Sequence, residues 1–162
     1  SLCKLLSLYK HIHFTLISPT ELSMPQSILD AITQGGHKLT ITDQLSGSVD
    51  ADICYQTRIQ AARFTSQDEA DKFRGKFRLD QQIYTKHFQS KTVIMHPLPR
   101  ASRAEANELD NDLNQHPNLA IFRQTDNGVL VRMALFALSL GVENLLQQYE
   151  QPVVWQTSKS TL

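Results

Sequence analysis

The sequence has few cysteines, and their positions argue against two classes of site. Only Cys3 and Cys54 occur among 162 residues. They lie far apart in the chain, and neither stands in a CxxC or Cys/His spacing of the kind that binds zinc. Because small proteins built on disulfides need several cysteine pairs, a disulfide framework is disfavoured as well. We expect both thiols to be reduced.

The chain also has no excess of charge of either sign. Sixteen Lys and Arg residues balance sixteen Asp and Glu residues, so the formal net charge is zero and the sequence pI is near 7.0. Proteins that bind nucleic acid usually carry a basic excess clustered on one face. The composition therefore argues against a nucleic-acid partner.

Long apolar runs are missing too. No run approaches the roughly 20 residues that a membrane-spanning helix requires, and no signal-peptide pattern opens the sequence. We therefore expect no membrane partner and a cytoplasmic location. The chain begins with Ser1, and the amphipathic run from Leu2 to Tyr9 starts without room for an N-cap. This favours a piece of a longer protein.

What the sequence does contain is an alternation of strands and helices. Strands are predicted at 13–17, 38–42, 51–57 and 92–95, and an extended segment at 119–123. Helical segments are predicted at the amino terminus, from Met24-Pro25 to Gly35-Gly36, at 68–77 and at 80–88. Polar, helix-prone residues run on to Asn114, and a final helix begins at about Gly128. This order predicts an α/β fold, a three-layer αβα sandwich with a parallel sheet of four or five strands.

Two polar segments follow strands of the predicted sheet. They are Thr57-Arg58-Ile59-Gln60 and His96-Pro97-Leu98-Pro99-Arg100. Ligands of open parallel sheets bind beyond the carboxyl ends of the strands. The sequence therefore predicts a binding site where these two segments leave the sheet.

The prolines of the second segment suggest a use for the backbone. Pro97 and Pro99 lack N–H groups and have fixed φ angles, so the Pro97 and Leu98 carbonyls are expected to be rigid hydrogen-bond acceptors. The Leu98-Pro99 bond is also a candidate for the cis isomer. A plain turn that ends a strand remains an alternative, as does a structural role for His96.

The first segment offers a contrasting chemistry. Arg58 has a planar guanidinium that can bind a carboxylate through two hydrogen bonds. Gln60 points to the same side if the chain is extended there, although Arg58 taken alone is more typical of a protein surface. Together the two segments would supply a cation, an amide and backbone acceptors. Such a set of groups suits a small amino acid.

At this point the motifs resemble a known family. HPLPR after one strand, TRIQ after an earlier one and QTDNGVLVR at 124–132 are similar to the catalytic chain of aspartate carbamoyltransferases, specifically its C-terminal, aspartate-binding domain. The similarity covers about residues 1–147. HPLPR is the most specific motif, because related ornithine enzymes have a cysteine where this chain has Pro97. The resemblance thus favours aspartate over ornithine as the acceptor.

The resemblance implies roles for individual residues. Arg58 matches the arginine that binds an aspartate carboxylate, and Gln60 the glutamine near the substrate amino group. Leu98 and Pro99 match a pair, joined by a cis bond, that contacts carbamoyl phosphate. The Pro97 and Leu98 carbonyls would face the reacting amide.

The resemblance also implies a reaction and partners. The family transfers a carbamoyl group from carbamoyl phosphate to the amino group of L-aspartate in pyrimidine biosynthesis, without metal or cofactor. Its carbamoyl phosphate is bound largely by an N-terminal domain, its catalytic chains form homotrimers, and they often bind regulatory chains. Arg63 lies in the loop that closes on the substrates. Residues 1–150 would be the aspartate-binding domain of a Rossmann-like carbamoyltransferase fold, and residues 151–162 a tail.

The last helix, at about 128–141, is apolar on nearly all sides. Arg132 and Ser139 interrupt an otherwise apolar run from Val129 to Leu140, and such a helix must be buried nearly all round. We expect it to pack on the N-terminal domain, which this chain lacks. A central helix of the domain's own core is the alternative.

Two departures from the family pattern keep other functions open. Ala61-Ala62 stand where the family commonly has Lys-Glu, and Ala101-Ser102-Arg103 where Val-Asp-Glu usually follow HPLPR. They affect loop closure and contacts between domains more than substrate identity. A non-catalytic carbamoyltransferase-like binding module, or an enzyme that uses another amine, is therefore the alternative.

Overall fold

The computed structural model describes residues 2–73, 75–101 and 107–149. The chain divides into two compact units, Ser1–Ile121 and Phe122–Leu162. Position 74 of the predicted helix 68–77, positions 102–106 of the predicted polar segment and the predicted tail at 151–162 lie outside the described residues. The predicted α/β class is confirmed, with parallel strands alternating with helices.

The first unit opens with a βαβ arrangement. Its elements are α1 (Leu2–Leu6), β1 (His13–Ile17), α2 (Gln26–Gln34) and β2 (Lys38–Thr42). β1 and β2 pair in parallel along their whole length, and both have the predicted bounds. Pro25 precedes α2, and Gly36 follows it with a φ of 73°. Proline and glycine therefore set the limits of this helix as predicted.

A second group of elements completes the unit. They are β3 (Ile53–Tyr55), α3 (Gln67–Asp71), α4 (Gln81–His87) and β4 (Val93–Met95). Both helices have side-chain caps: Ser66 Oγ accepts from the Glu69 N–H, and the Asp80 carboxylate accepts from the Ile83 N–H at 2.8 Å. Such caps each stabilise a helix by about 1 kcal/mol. α3 begins one residue before the predicted 68–77 and ends already at Asp71. α4 is shorter than the predicted 80–88 because it begins only after its Asp80 cap and ends at His87.

The strands are divided between two sheets, which differs from the prediction. The four strands form two parallel pairs, β1 with β2 and β3 with β4, in place of one sheet of four or five strands. β3 also contracts from the predicted 51–57 to three residues, and within the described ranges β4 is its single partner strand. Ile53 of β3 is consequently 55% exposed.

The main core lies around β4. It consists of buried side chains from the α4 region, β4 and the segment after it, namely Leu79, Tyr84, Ile94, Leu109, Leu113, Leu119 and Ile121. Ile94 is fully buried, and its backbone joins a further extended segment. Its N–H donates to Asn118 O at 2.9 Å, and its carbonyl accepts from the Ala120 N–H at 2.9 Å. Leu98, directly after β4, packs on the same core.

The last long helix begins earlier than predicted. α5 (Ile121–Leu140) starts directly after Ala120 and is followed by a 3-10 helix, Glu143–Tyr149. The prediction of an extended 119–123 and of a helix start near Gly128 is thus wrong from Ile121 onward. Residues 121–127 contain no proline or glycine that would stop a helix. Gly128 is accommodated inside α5, although an internal glycine costs about 1 kcal/mol relative to alanine.

Among the described residues, no single helix has the length and apolarity to cross a membrane. α5 and the 3-10 helix that follows it meet that test only as a pair bent by 118°.

The two cysteines are unbridged, as predicted. Burial raises the pKa of the Cys54 thiol to about 12. A thiol with this pKa is protonated at neutral pH and is a weak nucleophile. Cys54 is therefore a packing residue of β3.

Tyr84 connects three parts of the core. Its hydroxyl lies 2.8 Å from Thr92 O and 3.0 Å from Gln89 O, and it accepts from Asn118 Nδ2 at 2.8 Å. The ring is 3% exposed. The hydroxyl thus links α4 to the start of β4 and to the extended segment on the other side of Ile94.

We predict that Tyr84→Phe lowers the free energy of unfolding by about 1–3 kcal/mol, because it leaves buried polar groups without a partner. Tyr9→Phe is the control, since Tyr9 is 63% exposed and surface changes stay within about 0.5 kcal/mol. Urea unfolding followed by circular dichroism measures both. An equal loss in the two variants would contradict the linking role of Tyr84.

Candidate functional site

The two predicted strand exits lie side by side. β3 and β4 pair in a parallel register that ends with Tyr55 opposite Met95. The pairing continues one step further, because the Gln56 N–H donates to Met95 O at 2.9 Å. The segment that carries Arg58 and the segment that starts at His96 therefore leave the sheet from adjacent strands.

A pocket of about 480 Å³ opens beside these exits. Three segments line it: the exit of β3, the region from α3 to the start of α4, and the segment before the Asn111–Leu113 3-10 helix. Its lining residues are Arg58, Ile59, Gln60, Ala62, Ala70, Asp71, Phe73, Gly75, Phe77, Arg78, Ala101, Asn107 and Glu108. The pocket thus combines two arginines, two amides and two carboxylates with apolar walls.

Arg58 and Gln60, the predicted carboxylate- and amine-binding residues, both line this pocket. Both are exposed. The side chain of Gln56, just before them, donates to Phe77 O at 2.7 Å. This bond ties the start of the β3 exit to the backbone of Phe77, a residue that lines the pocket.

The remaining predicted residues stand outside the lining. Pro97, Leu98 and Pro99 are not among the described residues that line the pocket, and neither is Arg63. Arg63 ends a 3-10 helix, Ala61–Arg63, in which its N–H donates to Gln60 O at 3.0 Å. Of the departures from the family pattern, Ala62 lines the pocket, while Ser102 and Arg103 lie outside the described residues.

The loop after β4 is held by hydrogen bonds at several points. The Leu98-Pro99 bond is cis, as the resemblance implied, and Leu98 has a φ of 54°. The Leu98 N–H donates to His96 Nδ1 at 2.8 Å, and Arg100 Nη1 donates to Asn114 Oδ1 at 2.8 Å. Among the described residues, no donor is directed at the Pro97 or Leu98 carbonyl.

His96 and Glu108 form a buried pair under this loop. Their exposed fractions are 1% and 4%, and His96 Nε2 lies 2.8 Å from Glu108 Oε1. The contact is short but not aligned as a hydrogen bond, and it is therefore electrostatic. The Glu108 carboxylate also accepts from the Ala101 N–H at 3.1 Å.

The surroundings of His96 favour its neutral form. Burial lowers the pKa of His96, and the positive charges of Arg100 and Arg58 lower it further, whereas Glu108 acts in the opposite direction. Nδ1 accepts a hydrogen bond from Leu98, so the single proton of the neutral ring belongs on Nε2, facing Glu108. The sequence leaves open that His96 has a structural role. Its burial and its hydrogen bond from Leu98 support that role.

A second charged cluster fixes the far wall of the pocket. Arg78 pairs with Asp110 and lies 3.9 Å from Asp80. Hydrogen bonds from the Asp112 backbone and from Asn107 hold the pKa of Asp110 below its usual range, and Arg78 adds to this effect. The charge of Arg78 is thus already balanced within the protein.

The sequence prediction missed Glu108. It lies in a polar stretch beyond the motif, where a glutamate usually means a solvated surface. The only available signal was its position next to Leu109, a residue that is 1% exposed and pairs with Leu79. In the described part of the chain, no group of three His, Cys, Asp or Glu side chains is arranged to hold a metal ion.

Comparison with known proteins agrees with this geometry. Residues 1–139 match the family model described as "Aspartate/ornithine carbamoyltransferase, Asp/Orn binding domain". The chain is 61% identical over 159 residues to the aspartate carbamoyltransferase catalytic subunit of Cellvibrio japonicus, covering 98% of this chain and 47% of the relative. The corresponding protein of Saccharophagus degradans is 53% identical over 161 residues, which is 99% of this chain and 48% of the relative. The chain thus spans about half the length of the curated relatives it matches.

Solved structures give the same result. The catalytic subunit of M. jannaschii aspartate transcarbamoylase superimposes with a TM-score of 0.69 at 30% identity, over 83% of this chain and 43% of that one. The Trypanosoma cruzi aspartate transcarbamoylase in complex with N-(phosphonacetyl)-L-aspartic acid gives a TM-score of 0.70 at 30% identity, over 84% and 43%. The family model covers most of the chain, and the resemblance seen in the motifs is confirmed. The chain belongs to the aspartate/ornithine carbamoyltransferase family and contains its Asp/Orn-binding domain.

Proposed function

We propose that this chain is the aspartate-binding half of an aspartate carbamoyltransferase, which transfers the carbamoyl group of carbamoyl phosphate to the amino group of L-aspartate in pyrimidine biosynthesis. One observation carries the proposal. Arg58 and Gln60 open into a single pocket at the exit of β3, and the Pro97–Arg100 loop leaves the adjacent strand. A guanidinium, an amide and the backbone carbonyls of the proline segment thus leave the sheet from neighbouring strands, which supports a site for a small amino acid.

Each group has a part in the proposed reaction. Arg58 binds an aspartate carboxylate, and Gln60 lies near the amino group that attacks the carbamoyl carbon. The Pro97 and Leu98 carbonyls accept hydrogen bonds from the carbamoyl amide, while Leu98 and Pro99 contact carbamoyl phosphate. The attack gives a tetrahedral intermediate that expels phosphate. Positioning and charge stabilisation are expected to supply most of the rate.

The proposal requires a second domain. We propose that an N-terminal domain of the same enzyme binds the phosphate and packs on α5, whose apolar side chains include Met133, Phe136 and Leu138, each at least 60% exposed. Arg63 would take part in closing the site over both substrates. A homotrimer of catalytic chains, the binding of regulatory chains and a cytoplasmic location complete the proposal.

The departures from the family pattern support a second candidate. Ala62 lines the pocket where the family commonly has a charged residue, so the pocket wall lacks a charge that the family uses. A non-catalytic carbamoyltransferase-like binding module, or a transferase that uses another amine, would tolerate this change.

A chimera tests the proposal directly. The N-terminal half of the Cellvibrio japonicus relative, joined to this chain, should convert carbamoyl phosphate and L-aspartate to carbamoyl aspartate, whereas this chain alone should bind aspartate weakly and turn nothing over. The whole Cellvibrio japonicus protein is the positive control. A folded chimera that binds carbamoyl phosphate but is inactive with aspartate would refute the proposal. Turnover of ornithine instead would indicate another acceptor, and no turnover with either would indicate a binding module.

We predict different effects for the two arginines of the pocket. In the chimera, Arg58→Ala should raise the aspartate KM at least about 30-fold, which corresponds to about 2 kcal/mol for a lost charged hydrogen bond. Arg78→Ala should leave the aspartate KM within about threefold, because Asp110 and Asp80 already balance that charge. Steady-state kinetics with both substrates varied separates these effects from carbamoyl phosphate binding. An unchanged aspartate KM in Arg58→Ala would count against the assignment.

A further inference from the structure

The loop that follows β4 rests on one buried carboxylate. Glu108 meets the loop at two places: its Oε1 lies 2.8 Å from His96 Nε2, and its carboxylate accepts from the Ala101 N–H at 3.1 Å. His96 precedes the two prolines, and Ala101 follows the arginine that closes the motif. A single side chain therefore contacts both ends of the segment Pro97–Arg100.

The contact at His96 reaches further into the loop. The ring's other nitrogen, Nδ1, accepts from the Leu98 N–H at 2.8 Å. This is possible only if Nδ1 carries no proton, and therefore only if the proton of the neutral ring is on Nε2. A carboxylate opposite Nε2 favours that tautomer, since it attracts the Nε2–H dipole.

The Leu98 N–H also fixes a carbonyl. The Leu98 N–H and the Pro97 C=O belong to the same planar peptide group, and in a trans peptide they point in opposite directions. When the N–H is directed at His96, the Pro97 carbonyl must point away from it. The orientation of one of the two proposed acceptors is thus set by a bond to His96.

We propose that Glu108 is a positioning residue for carbamoyl transfer: it holds His96 in the Nε2–H tautomer, and His96 in turn holds the peptide that carries the Pro97 carbonyl. The inference rests on the proposed function for its kinetic consequence. Its structural part concerns this chain alone.

Two other roles for Glu108 give different expectations. A buried ion pair that serves only stability would affect unfolding without changing the tautomer of His96. A carboxylate that acts across the pocket on Arg58, which also lines it, would change aspartate binding before it changed turnover. Separate measurements are therefore needed for the His96 tautomer, for hydrogen exchange of the Leu98 amide, and for kcat and the aspartate KM.

The first measurement uses this chain labelled with 15N. At pH 7, the imidazole nitrogen shifts of wild type should show His96 as the neutral Nε2–H tautomer, and the Leu98 amide should be protected from hydrogen exchange. In Glu108→Leu, which removes the acceptor at similar volume, we expect a mixture of tautomers and Leu98 exchange at least about tenfold faster. Glu108→Gln, which retains an acceptor without the charge, should be intermediate.

The control is Asp112→Asn. Asp112 is an exposed carboxylate in the same region, and it accepts from the Gln81 N–H at 3.1 Å. It should change neither the His96 tautomer nor Leu98 exchange. Urea unfolding of all variants shows whether a change in the loop accompanies a general loss of stability.

The second measurement places the same variants in the chimera. Loss of Glu108 should lower kcat about 10- to 100-fold, the cost expected for a misplaced acceptor, while the aspartate KM stays within about threefold of wild type. A raised aspartate KM with unchanged kcat would overturn the proposal in favour of an action on Arg58.

The proposal also fails if wild-type His96 is charged or carries its proton on Nδ1 at pH 7, or if the tautomer and Leu98 exchange are unchanged in Glu108→Leu. If Glu108→Leu does not fold, the proposal is tested by the His96 tautomer of the wild type and by the tautomer and Leu98 exchange of Glu108→Gln. A wild-type chimera without activity would refute the proposed function and leave the 15N result standing, so the two failures are distinguishable.

Discussion

The register between β3 and β4 is the constraint on which the candidate site depends. Side chains alternate along a strand, so a slip of one residue would turn every side chain of β4 to the opposite face and separate the two exits. Burial of Ile94 opposes such a slip, because its side chain is fully enclosed and its backbone also bonds Asn118 and Ala120. A fully buried position of the core therefore fixes where the polar loops begin.

Beyond the strands, the site is held by polar groups that are costly to bury. Removing the Glu108 carboxylate and the neutral His96 ring from water carries a penalty of several kcal/mol, mostly for the carboxylate, which their contact only partly offsets. Apolar residues of the same volume would give an equally stable core. A buried pair at this position is better explained by what it orients, because it accepts hydrogen bonds from Leu98, between the two prolines, and from Ala101, after Arg100. Specific geometry of this kind requires a rigid supporting layer beneath the residues that meet a ligand.

The parts of the molecule that sequence reasoning predicted well are those with a local cause. Pro25 and Gly36 delimit α2 because of their own backbone preferences, and β1 and β2 have the predicted bounds. The neighbourhood of Arg58 and His96 also followed from a general rule about strand exits. Glu108 could not be predicted, since its burial comes from the pairing of Leu79 with Leu109. These two residues lie far apart in the sequence. The start of α5 was missed for the same reason: the bond from Ala120 to Ile94 O, and not a cap in the sequence, ends the preceding extended segment.

Under the proposed function, the described residues of the pocket supply too few cations to bind both substrates. Of the two arginines in its described lining, Arg78 is balanced by Asp110 and Asp80, whereas Arg58 has no carboxylate partner there. One unbalanced guanidinium can neutralise one carboxylate of aspartate. It cannot also neutralise a second carboxylate and a phosphate, each of which would need its own cation in a site closed to water. The balance of charge within this pocket therefore requires further cationic groups from outside the described residues, and the proposed N-terminal domain is where we expect them.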